Sequence, residues 1–224
     1  MSENVKPSLL LHSCCGPCST ACIERLLDSY EITVFFYNPN ISDLEEYERR
    51  TKAQRTVIDR FNQMIGEGRE IKYIESPYDS EEFMKVAKGY EDEPEGGKRC
   101  GKCFGLRLGE TAKLADEKGY DYFTTTLTVS PHKDSKLISQ IGNALGEKYN
   151  TEYLDENFKK KDGFKRSIQL SKEFNLYRQD YCGCTYSIWW DSEEERIEAA
   201  RLADEKAKQR ALEKAQRKAE KQAG

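Results

Sequence analysis

The segment Leu9-Leu10-Leu11-His12-Ser13-Cys14-Cys15-Gly16-Pro17-Cys18 decides the fold. Three leucines, a histidine and a serine make a short apolar run that reads as a buried strand. Gly16 permits a tight turn and Pro17 suits the first position of a helix. Strand, turn and helix in that order open a βαβ unit, and the alternation continues down the chain. Residues 32–37 (ITVFFY), 71–74, 120–126 and 151–154 carry the β-branched and aromatic side chains of strands. Between them, Ser42-Asp43-Leu44-Glu45 reads as a capping box opening a long helix that ends near Gly66. Gly119 stops a helix, and Asp134 or Ser135 caps another that runs to about Tyr149. Five strands alternating with helices predict an α/β domain with a mostly parallel sheet, right-handed crossovers and helices on both faces. Such sheets bind ligands at the carboxyl ends of their strands, near the switch in strand order. The residues just after Ser13 and Thr126 are therefore the expected site.

Composition bounds the function. The 224 residues include 36 Lys+Arg and 40 Asp+Glu, a net charge of −4. No apolar run approaches the ~20 residues of a membrane span, and residues 1–11 are too short and too weakly charged for a secretory signal. A membrane protein, a secreted disulfide scaffold and a disordered chain are excluded as expectations, leaving a cytoplasmic protein whose clustered cysteines point to metal or redox chemistry. Charged residues reach 34%, against about 25% for a typical domain, and much of the excess lies in the last thirty residues. From Asp191 the chain reads as one charged helix, with Ala203, Ala207, Ala211, Ala215, Ala219 and Ala223 at every fourth position. It has little apolar face to bury, so it reads as a solvated tail or a basic arm that touches RNA. Residues 1–190 are the expected catalytic domain and 191–224 the tail. Residues 90–98 (YEDEPEGGK) are read as a flexible acidic loop, and residues 158–166 (FKKKDGFKR) as a basic turn.

Eight cysteines fall into three groups: Cys14, Cys15, Cys18 and Cys22; Cys100 and Cys103; Cys182 and Cys184. The first group enters a helix, whose positive end favours thiolates, the form that binds metal. Cys14 and Cys15 are adjacent, so their side chains are expected to diverge and to serve two metals. The Cys-x-x-Cys at 100–103 recurs in zinc and iron–sulfur sites. In Cys182-Gly183-Cys184 the short span seats both sulfurs on one ion. Cys22, a full turn beyond Cys18, is read as a small buried hydrophobe. A four-thiolate zinc site would leave three of the other seven unexplained. His12 reads as a core residue.

Leu10 to Cys18, then Phe36-Tyr37-Asn38-Pro39-Asn40-Ile41, Arg99-Cys100-Gly101-Lys102-Cys103, residues 124–133 (TTTLTVSPHK) and residues 177–184 (YRQDYCGC) resemble, in order and combination, the motifs of the cobalamin-independent epoxyqueuosine reductase family QueH. The resemblance covers residues 9–190. It implies a Rossmann-like fold related to nucleotide α-hydrolases, a [4Fe-4S] cluster beside a second metal ion (iron before zinc), and reduction of epoxyqueuosine to queuosine at the tRNA wobble position. The partners are then tRNA and an electron donor, with no membrane. The expected allocation gives the cluster Cys14, Cys18, Cys100 and Cys103, and the second ion Cys15, Cys182 and Cys184, with Cys14 and Cys15 open to exchange. Removing an epoxide oxygen needs two electrons and two protons, and His132, Tyr181 and Asp180 are the candidate donors. Asn38, Asn40 and Lys133 are candidate substrate contacts. Lys159, Lys160, Lys161, Lys165 and Arg166 are candidate phosphate contacts or a solvated loop.

Two other classes compete. An ATP-using, iron–sulfur tRNA thiolase needs a Gly-rich anion cradle after the first strand, where this chain has thiols and one glycine. A non-catalytic zinc-binding RNA adaptor would carry zinc alone.

Overall fold

The computed structural model describes residues 6–66 and 68–187, with the isolated helical positions Glu205, Gln209 and Gln216. Apart from those three positions, the expected helix at 191–224 lies outside the described residues, as does the expected domain boundary at 190.

The strands are β1 (Ser8–His12), β2 (Glu31–Phe36), β3 (Lys72–Glu75), β4 (Tyr122–Thr125) and β5 (Glu152–Tyr153). They form one sheet in the order β3-β2-β1-β4-β5, and every pairing is parallel. The order reverses between β1 and β4, so the switch point lies where Cys14 and Thr126 leave the sheet. The helices are α1 (Gly16–Leu26), α2 (Leu44–Ile65), α3 (Glu81–Ala87), α4 (Lys98–Lys118), α5 (Ser135–Lys148) and α6 (Gly163–Glu173).

Strand alternation sorts the helices onto two faces. Leu9 and Leu11 pack with Ile23, Val57 and Phe61 of α1 and α2, and Phe164 of α6 joins that core. Leu10 points the other way, into Phe104, Leu108 and Ile138 of α4 and α5. All three leucines are fully buried. A parallel strand covered on both faces has no polar side, which is why β1 reads as an unbroken apolar run.

Several local readings change. The N-cap of α2 is Asp43, whose carboxylate accepts from the Glu46 amide at 2.9 Å. Ser42, the expected cap, instead accepts from the Thr185 amide through its hydroxyl. Gly16 and Pro17 are the first two residues of α1, and Gly16 is required by packing: a Cβ there would lie 2.7 Å from the Ala53 carbonyl of α2. The acidic loop is tied down, because Arg99 donates to the carbonyls of Tyr90, Glu91 and Glu93. The basic turn ends at Gly163, where α6 begins. Gly119 ends α4 in the left-handed region (φ 69°), and Asp134 caps α5 with bonds to the Lys136 and Leu137 amides.

Candidate metal and active site

Two helix N-termini carry thiols to the carboxyl edge of the sheet. Cys15 is the N-cap of α1, with extended backbone (φ −174°), and Cys18 lies three positions further on. N-cap and third-position side chains meet across the first turn, as in a capping box. The Cys14 and Cys15 sulfurs are 3.8 Å apart, and those of Cys14, Cys15 and Cys18 lie within 4.8 Å of one another. The expected divergence of Cys14 and Cys15 does not occur, because the extended N-cap and the sharp entry into α1 fold both sulfurs over the helix end. Cys100 is the third residue of α4, and Cys103 follows one turn later. The Gly96 amide donates to the Cys100 sulfur at 3.2 Å.

The Cys182-Gly183-Cys184 turn belongs to no helix or strand and is held by distant residues. Arg50 of α2 donates to the Cys182 carbonyl at 2.9 Å and the Tyr181 carbonyl at 3.1 Å. The Ser42 amide donates to the Gly183 carbonyl at 3.0 Å. Gly183 has φ 110°, and a Cβ there would meet Arg50 Nη1 at 3.0 Å, so the turn takes glycine on both counts. Cys182 lines one cavity with Cys14 and Cys18, and an adjoining one with Cys100, Cys103 and Cys184. All seven expected metal-ligating thiols thus converge on one region. Cys22 is buried in the core, as is His12. The His12 ring accepts from Thr125 at Nδ1 (2.8 Å) and donates to the Tyr37 carbonyl at Nε2 (3.1 Å), and burial drops its pKa to about 3.

Charge is organised around these sulfurs. Arg50 and Arg107 are the bulkiest fully buried side chains described. Arg50 is paired with Glu46 at 2.6 Å. Arg107, one turn after Cys103, donates to Asn38 Oδ1 at 2.6 Å and has no carboxylate partner among the described residues. Burial opposes its charge, but Cys103, Cys14 and Cys182 outweigh that and hold it above the usual arginine range. Burial likewise opposes the Lys133 ammonium, and Cys182, Cys14 and Cys18 override it. In the triad, bonds from Cys15 and Cys18 push the Cys14 thiol well below its usual range, and Cys14 first among causes pushes Cys18 well above it. Burial pushes Cys15 up to about 12, Cys103 up to about 11 and Cys184 up to about 12. A metal bound at such buried thiols would displace their protons.

Of the candidate proton donors, His132, Asp180 and Tyr181 all line the cavity of about 360 Å³ that holds Cys14 and Cys18. Tyr181 lies against Arg50 at 5.2 Å, and burial pushes its hydroxyl up to about 12. Lys133 lines both cavities. Asn40 lines the cavity of Cys100 and Cys103, and its buried Oδ1 has no partner. Asn38 lines neither; it donates to the Ser13 carbonyl at 2.9 Å and accepts from Arg107. In the basic turn, Arg166 is paired with Glu24 at 2.7 Å, and Lys159 donates to the Lys133 carbonyl at 2.8 Å. Lys160, Lys161 and Lys165 are exposed.

Four participants escape the sequence reading. Arg50 and Arg107 each occupy the buried stripe of their helix, between Tyr47 and Gln54 and between Phe104 and Thr111. A charge at an apolar position of the helical period is the signal that could have found them. Gln179 donates to the Cys15 sulfur at 2.8 Å, and Thr126 sits over Cys14, accepting from its amide at 3.2 Å. Both lie inside the motifs at 124–133 and 177–184, but nothing in the local sequence singles them out as partners of the sulfurs.

A parallel α/β sheet with thiols from three distant segments gathered at its switch point defines a protein built around soft-metal ligands. Comparison with known proteins gives the family. The family model for epoxyqueuosine reductase QueH matches residues 9–189. Proteins named epoxyqueuosine reductase QueH are similar along most of the chain: one from Staphylococcus epidermidis is 46% identical over 83% of this chain and 78% of its own length. One from Streptococcus pyogenes is 43% identical over 83% and 72%, and one from Thermotoga maritima is 38% identical over 81% and 90%. The chain belongs to the epoxyqueuosine reductase QueH family and is an oxidoreductase. No described helix is long and apolar enough to cross a membrane.

Proposed function

We propose that the chain reduces epoxyqueuosine to queuosine at the wobble position of tRNA, with an iron–sulfur cluster and a neighbouring thiolate-held ion seated among Cys14, Cys15, Cys18, Cys100, Cys103, Cys182 and Cys184. The observation that carries this reading is the charge balance. A buried cation without an anionic partner costs several kcal/mol, on the order of 3–5, and Arg107, bonded to the neutral Asn38 amide, has no carboxylate partner among the described residues and lines the cavity of Cys14, Cys18 and Cys182. A thiolate-ligated metal group is an anion of the right kind in the right place. Family membership supplies the substrate.

The bound metals would supply electrons and a Lewis acid for the epoxide oxygen. The chain's own residues do the rest. Lys133 and Arg178 line the open cavity and draw in the phosphates that flank the modified nucleotide. A volume of about 360 Å³ admits an everted nucleotide, in keeping with recognition of a splayed single strand. Tyr181 retains its proton at neutral pH and offers it to the leaving oxygen, with His132 and Asp180 beside it. The reaction takes up two electrons and two protons and releases water, so donors on the cavity wall are needed at both proton steps.

Anaerobic purification with iron, zinc and acid-labile sulfide measured tests the reading. About four sulfides per chain, excess iron and broad visible absorption are expected. A colourless protein holding zinc alone would sink it and leave the RNA adaptor. Replacing both Cys182 and Cys184 with alanine is expected to remove metal and abolish turnover on an anticodon stem-loop. Full metal content in that variant would take the pair out of the ligand set.

A further inference from the structure

Reduction of a thiolate-ligated cluster adds one negative charge to an already anionic group. Any fixed positive charge nearby stabilises the reduced form more than the oxidised one. The effect is strongest where water cannot screen it. Five cations line the two thiol cavities. Arg99 spends its Nη1 on the Tyr90, Glu91 and Glu93 carbonyls, and Arg178 is exposed. Arg50 is neutralised by Glu46 at 2.6 Å. Lys133 lines both cavities but keeps partial exposure to solvent. Arg107 is 1% exposed and has no carboxylate partner among the described residues.

We propose that Arg107 is the residue that raises the cluster's reduction potential, acting as a permanent buried charge that Asn38 holds against sulfurs of all three cysteine groups. The proposal rests on the function argued above. The placement is specific. Arg107 follows Cys103 by one turn of α4, so the two share a helix face. It lines the cavity of Cys14, Cys18 and Cys182. Its guanidinium donates to Asn38 Oδ1 at 2.6 Å, and its buried Nε has no partner among the described residues. Asn38 is in turn anchored by donation to the Ser13 carbonyl, immediately before Cys14. A neutral amide is the acceptor this role requires, since it orients the guanidinium without cancelling its charge. A carboxylate in the same place would cancel it. A guanidinium also stays charged at every working pH, so the potential does not drift with protonation.

The test is a redox titration of the full-length holoprotein, with dithionite as reductant and the visible spectrum as readout. Iron and sulfide are measured first in each sample. Arg107→Gln and Asn38→Asp should each shift the cluster's reduction equilibrium at least tenfold toward the oxidised form, which is about 59 mV for one electron. Arg107→Lys should keep most of the wild-type value. Where Arg107→Gln fails to hold its cluster, Asn38→Asp decides, because it keeps the guanidinium and the side-chain volume. Intact clusters titrating at the wild-type potential in both neutralising variants would overturn the inference and leave the proposed function standing. Loss of the cluster in all three variants would assign Arg107 to assembly of the site and would also overturn it. A wild-type protein without iron and sulfide would remove the proposed function itself.

Discussion

Two turns present cysteines to the same cleft, and they are built in opposite ways. The Cys14–Cys18 turn is local: a strand ends, a helix begins, and the N-cap and third position bring the sulfurs together. The Cys182–Cys184 turn has no such scaffold. Its carbonyls are held by Arg50, 132 positions away for Cys182, and by the Ser42 amide. Local geometry of the first kind forms with the helix. The second kind exists only once α2 has docked on the sheet. One site therefore combines a part shaped by local geometry with a part that depends on the whole fold.

The sharpest break in that contrast is Arg50→Leu. It leaves the Glu46 carboxylate buried without its ion pair and strips the donors from Tyr181 and Cys182. The expected cost is about 3–5 kcal/mol in urea unfolding, with metal lost from the Cys182–Cys184 side first. A pair variant, Arg50→Leu with Glu46→Leu, removes both charges and should recover most of the stability without recovering turnover. Recovery of both would show that Arg50 serves the fold alone.

The local turn has its own weak point. Gly16→Ala drives a Cβ to 2.7 Å from the Ala53 carbonyl, so α1 and α2 must part. Overpacking of this kind costs about 1–3 kcal/mol, read as a lower urea midpoint with an unchanged slope. Wild-type stability in that variant would mean that α2 yields freely, and the first turn would then be less rigid than its geometry states. Smallest of all, Asp43→Ala removes the N-cap of α2 and should cost about 1 kcal/mol, with metal content unaltered. A loss of metal there would show that fraying at the start of α2 reaches Arg50 and the second turn.

Much of this was legible in advance because it is local. All five strands fall within a residue or two of their expected places, since apolar runs flanked by helix signals are short-range patterns. The helix start at Asp134 and the stop at Gly119 were legible for the same reason. The capping residue of α2 was misread because Ser42 and Asp43 are chemically equivalent caps, and a distant amide, that of Thr185, engages Ser42. Residues 90–98 read as flexible from their Pro and Gly content, yet Arg99 fastens them through three carbonyls. Helix α6 was hidden behind the lysines that precede it.

The sequence by itself determined the alternation of strands and helices, the cysteine groups and the family, because spacing and residue type carry that information along the chain. Only the tertiary structure decided which sulfurs meet, that Asn38 faces Arg107 rather than the cleft, and that Arg50 and Arg107 are buried beside the thiols. Those outcomes depend on charge, desolvation and packing between segments up to 164 positions apart. No periodicity records such distances: the energy of a buried guanidinium is fixed by what surrounds it in space, and that is settled only when the helices close on the sheet.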